Sequence, residues 1–96
     1  MFSQNEISLK DAIKSLIQSY NIHDRIHEAQ LNAAWSNIVG PYAAKHTVDM
    51  YLFKGVLQIK LNSDVIRQEL SYAKSRIIIH INKYLGKKVV ENIIFR

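Results

Sequence analysis

The hydrophobic period changes twice along this chain, and those changes limit the domains it can build. From Ser8 to Ile38 apolar residues recur every three or four positions, over Thr47 to Asn62 (TVDMYLFKGVLQIKLN) they alternate, and from Asp64 the wider spacing returns. A period near 3.6 lays apolar side chains along one side of a helix, and a period of 2 lays them on one face of a strand. A first helix is therefore predicted over SLKDAIKSLIQSY, with Leu9, Ala12, Ile13, Leu16, Ile17 and Tyr20 at helical spacing and Ser8 and Asp11 resembling a capping box with a shorter acid. After a break at Asn-Ile-His, Asp24 is expected to cap a second helix whose apolar positions are Ile26 or His27, Leu31, Ala34, Trp35 and Ile38. Gly40, in a left-handed cap conformation, should end it, and Pro41 should open a short helical piece, PYAAKH.

The alternating stretch reads as a hairpin. Val48, Met50 and Leu52 interleave with Asp49, Tyr51 and Phe53, then Leu57, Ile59 and Leu61 with Gln58, Lys60 and Asn62, about a tight turn at Lys54 and Gly55. Ser63 or Asp64 is expected to cap one long helix running to Leu85, with Ile66, Leu70, Ala73, Ile77, Ile81 and Tyr84 in a single stripe and Gly86 closing it. The β-branched tail KKVVENIIFR then supplies a last strand beside the hairpin. The predicted class is α+β: helix-helix-strand-strand-helix-strand, a three-stranded sheet covered on one face by helices, with the opposite face left open. The helix between the second and third strands is long enough for a crossover that permits parallel pairing. At 96 residues, with 48% hydrophobic and 22% charged, this is one ordinary globular domain, expected over residues 8 to 96 behind a frayed leader at 1 to 7.

Several function classes drop out. No apolar run approaches the roughly 20 residues of a membrane span, and the N-terminus lacks the basic and apolar blocks of a secretory signal. The absence of Cys rules out disulfides, thiolate metal sites and a Cys nucleophile, and suits a reducing cytoplasm. His23 and His27 stand four apart but lack an obvious third ligand, and His46 and His80 are isolated. The eight acidic residues are scattered, and no GxSxG, GxxxxGK[ST] or GxGxxG occurs. No enzyme, metal or cofactor is predicted.

Charge is more telling. Residues 1 to 49 carry four Lys or Arg against five acids, whereas residues 50 to 96 carry nine against three, so the net charge of +5 belongs to the second half. A one-sided positive field favours polyanions, nucleic acid first among them. On the long helix, Arg67 and Lys74 flank one side of the stripe and Arg76, His80 and Lys83 the other, with Lys87 and Lys88 just beyond. On the strands, Tyr51, Phe53, Gln58 and Lys60 share the face opposite the aliphatic one, a combination suited to single-stranded nucleic acid. The same aromatic residues also fit a homodimer patch or cross-strand pairs that only stabilise the hairpin. Ile79, off the main stripe within RIIIH, adds weight to a partner surface.

Taken in order, AAWSNIVGPYAAKHT, GVLQIKLNSDVIRQEL and INKYLGKKVVENIIFR resemble the DciA-like family of bacterial replicative-helicase loaders or operators. The matching features are a Trp followed by Val-Gly and a His-Thr pair, a Gly-Val-Leu turn into a strand with "EL" on the next helix, and Asn-x-x-Leu-Gly leading to a strand that closes IxFR. The resemblance implies a KH-like fold, association with the DnaB-type helicase and DNA binding. It departs from true KH domains in having no GxxG loop to clamp a nucleic-acid backbone. The expected function is that of a non-enzymatic DNA-binding accessory protein that recruits or helps load the replicative helicase, on single-stranded or forked DNA rather than a specific duplex sequence. Phosphate contacts are assigned to Lys60, Arg67, Lys74, Arg76, Lys83, Lys87 and Lys88, and stacking to Tyr51 and Phe53. An RNA-binding KH-like module and a protein adaptor with an incidental basic surface are the alternatives. Trp35, Gly40, Pro41 and Gly86 are read as structural.

Overall fold

The computed structural model describes residues 8–20 and 22–96, and the leader expected over residues 1–7 lies outside them. Its elements are α1 (Ser8–Tyr20), α2 (Ile22–Val39), α3 (Pro41–Lys45), β1 (Thr47–Phe53), β2 (Val56–Leu61), α4 (Asp64–Tyr72), α5 (Lys74–Leu85) and β3 (Asn92–Phe95). The sheet order is β1-β2-β3, with β1 antiparallel to β2 and β2 parallel to β3. The α+β class and the predicted order of elements are thus found, with the crossover through α4 and α5 making the parallel pair.

Met50 and Leu52 on β1, Leu57, Ile59 and Leu61 on β2 and Ile93 on β3 form the inner face of the sheet. They cluster with Leu31 and Trp35 of α2, Ile66 and Leu70 of α4, and Ile77 and Ile81 of α5. One expected inner residue, Val48, is 56% exposed. The register shifts between Thr47 and Asp49, so Val48 is an extra residue that the alternation does not carry inward.

The expected single helix from Asp64 to Leu85 is broken at Ala73, which has φ −97° and ψ 9°. A straight helix of that length would run about 33 Å, whereas the longest strand, of 7 residues, spans about 23 Å. Breaking the helix lets Ile66 and Leu70 on one piece and Ile77 and Ile81 on the other all reach the same small sheet. Ser71 assists locally, because its hydroxyl donates to the Arg67 carbonyl at 2.8 Å, a back-bond that competes with the helical ladder. Ser63, not Asp64, is the cap: its Oγ accepts from the Ile66 amide at 3.3 Å.

Two further expectations change. The second helix starts at Ile22, and Asp24 lies inside its first turn with its carboxylate accepting the Lys54 amide at 3.1 Å. Gly40 has positive φ as expected, but at φ 92° and ψ 153° it is extended rather than left-handed helical. Its amide donates to the Ser36 carbonyl at 2.9 Å and its carbonyl accepts from Ala44 at 3.0 Å, so one residue ends α2 and starts α3. Gly86 does adopt the left-handed cap at the end of α5, with φ 83° and ψ 3°.

Strand β1 is a sheet edge, and its outer backbone is covered by side chains rather than by another strand. The amides of Met50, Leu52 and Lys54 donate to Asp49 Oδ1 (2.8 Å), Glu28 Oε2 (2.6 Å) and Asp24 Oδ2 (3.1 Å), and Arg25 donates to the Leu52 carbonyl. A blocked edge discourages strand-to-strand association. Within α2, His27 is half-buried while Ile26 is 50% exposed, which decides between the two candidates for that inward position. Helix α1 keeps Leu9, Ile13 and Leu16 half or more exposed, and the molecule measures 58 Å along its longest axis.

Candidate nucleic-acid interface

The face of the sheet turned away from the helices is uncovered. Pairing places Asp49, Tyr51 and Phe53 of β1, Val56, Gln58 and Lys60 of β2, and Asn92 and Ile94 of β3 on it. Tyr51, Phe53 and Ile94 are each about two-fifths exposed, at 39%, 39% and 43%. The two aromatic rings stand nearly parallel, with centroids 6.3 Å apart and an interplanar angle of 14°. The Arg25 guanidinium lies 4.4 Å from the Tyr51 centroid and Lys54 Nζ lies 5.3 Å from that of Phe53. Each ring therefore already carries a cation over its face, and the surface is a joined cation and aromatic cluster rather than two bare stacking platforms.

At its turn end this face meets a segment that carries further lysines. The Glu91 and Asn92 amides donate to the Gly55 carbonyl at 2.7 and 3.2 Å, which brings the segment after α5 to the hairpin turn that carries Lys54. Lys87 and Lys88 lie exposed on that segment. Asn82 holds it in place: Oδ1 accepts the amides of Val89 (3.0 Å) and Val90 (2.8 Å), and Nδ2 donates to the Val90 carbonyl (2.9 Å). At this same end Lys74 Nζ reaches Asn92 Oδ1 at 3.5 Å, at the border of the open face.

The predicted phosphate contacts are not all brought together. Lys60 lies on the open face, Lys74 reaches its turn end at Asn92, and Lys87 and Lys88 are exposed on the segment that leads there, whereas Arg76 and Lys83 lie on the flank of α5 beside Asn37 and Ile38 of α2. Arg67 is occupied, its guanidinium paired with Asp64 and donating to the Leu61 carbonyl at 3.3 Å. Arg25 and Lys54 were not among the predicted residues. Lys54 had a signal, since it follows Phe53 at the hairpin turn, but Arg25 meets Tyr51 only through tertiary packing.

His27 is the one described group whose proton affinity clearly departs from the ordinary value. Burial, seconded by the positive charge of Lys87 and by His23, lowers its pKa below the usual 6.5, against an opposing pull from Asp24. Among the described residues its Nδ1 has no hydrogen-bond partner. The unfolded chain therefore binds this proton more tightly than the folded one, so stability falls as pH drops below about 6.5 and levels off below the folded-state value. Urea midpoints at pH 7.5 and 5.5 check this: the difference should shrink in His27→Gln, and an unchanged difference would assign it to another group. His46 has a structural place, with Nδ1 2.7 Å from Asn62 Oδ1 and its ring edge-on to Tyr42 at 4.9 Å.

The fold is that of a small α+β domain with one open sheet face. Residues 8–95 match the family model DciA, described as "Dna[CI] antecedent, DciA", and the chain belongs to that family. Membership implies a part in loading the DnaB-type helicase in replication, as an accessory protein rather than as a member of a known enzyme family. No curated protein and no solved structure matches the chain. Among the described residues no helix is long and apolar enough to cross a membrane.

Proposed function

We propose that this chain is a cytoplasmic, non-enzymatic helicase-loading protein that holds single-stranded or forked DNA on the open sheet face while engaging the replicative helicase. The observation that carries the reading is the uncovered face itself, with Tyr51 and Phe53 each under a cation and Lys60 beside them. Lys74 borders it at Asn92, beside the hairpin turn, and Lys87 and Lys88 precede Asn92 on the segment that leads to the same end, which would give the strand a basic margin. Phosphates meet the lysines, and bases meet the edges of the rings or displace Lys54 to stack on Phe53. Arg67 is read as supporting the geometry of α4 before any DNA contact, because one donor on each of its terminal nitrogens goes to Asp64 and to the Leu61 carbonyl.

Fluorescence anisotropy with labelled single-stranded DNA, forked DNA and RNA of equal length tests this reading. Four phosphate contacts on a single strand give a salt slope near −0.7 per contact, so affinity should fall about 50-fold between 50 and 200 mM salt. Lys60→Glu and Lys74→Glu should each weaken binding and flatten that slope, with unfolding midpoints unchanged. Immeasurable DNA affinity at about 50 mM salt would sink the DNA half of the proposal, and a preference for RNA would favour the RNA-binding alternative. Failure of the wild-type chain to retain the host's purified replicative helicase in a pull-down would sink the other half.

A further inference from the structure

The groove between the C-terminal half of α2 and α5 lies away from the sheet face and takes no part in the DNA reading. It consists of two adjoining hollows of about 410 and 280 Å³ that share Ile38 and His80. Ile38, Ala73 and Ile77 line the larger one, and Ile79, 65% exposed, stands at its lip. At 100° per residue Ile79 points roughly opposite to the line through Ile77 and Ile81, so core packing does not account for it. Arg76 and His80 border the larger hollow and Lys83 the smaller. The sequence of α5, KSRIIIHINKYL, contains no acid, and neither does the last part of α2, NAAWSNIV.

We propose that this groove is a docking site for an acidic amphipathic helix of a protein partner. The apolar floor takes the helix's aliphatic stripe, and Arg76, His80 and Lys83 meet its carboxylates. A channel between two packed helices is shaped to receive a third, which seats side chains three and four apart. Nucleic acid shares the negative charge but has no use for exposed isoleucine beside an apolar hollow. A second copy's α1 offers an exposed stripe at Leu9, Ile13 and Leu16, yet it brings Lys10 and Lys14 against a single Asp11 and so meets the basic rim with like charge. Charge complementarity therefore selects an acidic helix, a contact that stands independently of the DNA surface described above.

The test titrates the full ¹⁵N-labelled chain with a synthetic helix of about 20 residues bearing leucines at heptad spacing and glutamates elsewhere, and with the same peptide carrying lysines instead. The glutamate peptide should shift the amides of Ile38, Ile79 and His80, and the lysine peptide should not. Ile79→Asp should weaken binding at least tenfold, and because this side chain is exposed the sheet amides should keep their positions. Arg76→Glu should shift the preference towards the lysine peptide, an effect that loss of structure does not produce. Equal binding of both peptides, no effect of Ile79→Asp, or these amides responding to single-stranded DNA instead would each overturn the proposal. So would a dimer in sedimentation that Ile79→Asp dissociates, since the occupant would then be a second copy. Both variants should retain wild-type affinity for single-stranded DNA, so failure of the groove and failure of the DNA reading show up in different measurements.

Discussion

Trp35→Ala is expected to lower stability by about 3 to 5 kcal/mol, the range for a large aromatic removed from a core. The indole is only 3% exposed, and its Nε1 donates to Thr47 Oγ1 at 2.9 Å while that hydroxyl donates to the Ala43 carbonyl at 3.0 Å. One side chain therefore ties α2 to the start of β1 and, through Thr47, to α3. A chain of this size shifts its midpoint by some 4 to 8 °C per kcal/mol, so the melting temperature should fall by roughly 12 to 40 °C. Because Trp35 is the only Trp, the transition has to be followed by far-UV circular dichroism rather than indole fluorescence. Trp35→Phe keeps most of the volume and loses the hydrogen bond, for a loss nearer 1 to 2 kcal/mol. A Trp35→Ala chain that melts normally but fails to bind DNA would show that the stretch WSNIVGPYAAKHT is a site rather than scaffold.

Asn82→Ala is the second large effect, expected at about 2 to 4 kcal/mol. The substitution removes three hydrogen bonds to the backbone of Val89 and Val90 and leaves their part-buried polar groups without the partner that satisfied them. Val90 is fully buried and leads directly towards β3, so the loss reaches the parallel pairing of β3 with β2 as well as the position of Lys87 and Lys88. Asn82→Asp keeps an acceptor for both amides and forfeits only the donation to the Val90 carbonyl, so it should fall between wild type and Ala. Thermal melts rank the three proteins, and hydrogen exchange at Val89 and Val90 locates the change. Equal destabilisation by Asp and Ala would mean that the donated bond, rather than the pair of accepted ones, holds the segment.

Much of the architecture was legible because apolar spacing is a local signal. Leu57, Ile59 and Leu61 alternate inward, Lys54 and Gly55 form the hairpin turn with positive φ at both, and Gly86 caps α5. The misreadings have a common origin in interactions between distant segments. Asp24 had the composition of a helix cap, but its carboxylate is drawn to the Lys54 amide, 30 residues away. The stripe from Ile66 to Ile81 was periodic enough for one helix, but a sheet of short strands cannot cover a straight one, so the chain breaks at Ala73.

The candidate site divides in the same way. Tyr51, Phe53 and Lys60 share a face by strand parity, which the alternating pattern specifies on its own. Arg25 over Tyr51 carries no signal in the sequence, since α2 must first pack along the edge of β1. Helical periodicity separates Lys74 from Arg76 and Lys83, but it does not indicate that the latter two lie beside Ile38 of α2 or that Lys74 reaches Asn92.

By itself the sequence determined the class of fold, the order of its elements, the inner faces of the strands apart from Val48 and, through its ordered motifs, the family. These follow from side-chain period and backbone preference, which act over a few residues. Only the tertiary structure decided which cations lie at the open sheet face, which are engaged in holding the fold together, and which border the groove beside α5. Those assignments depend on how helices and sheet settle against each other, because a charge acts on whatever packing brings within a few ångströms.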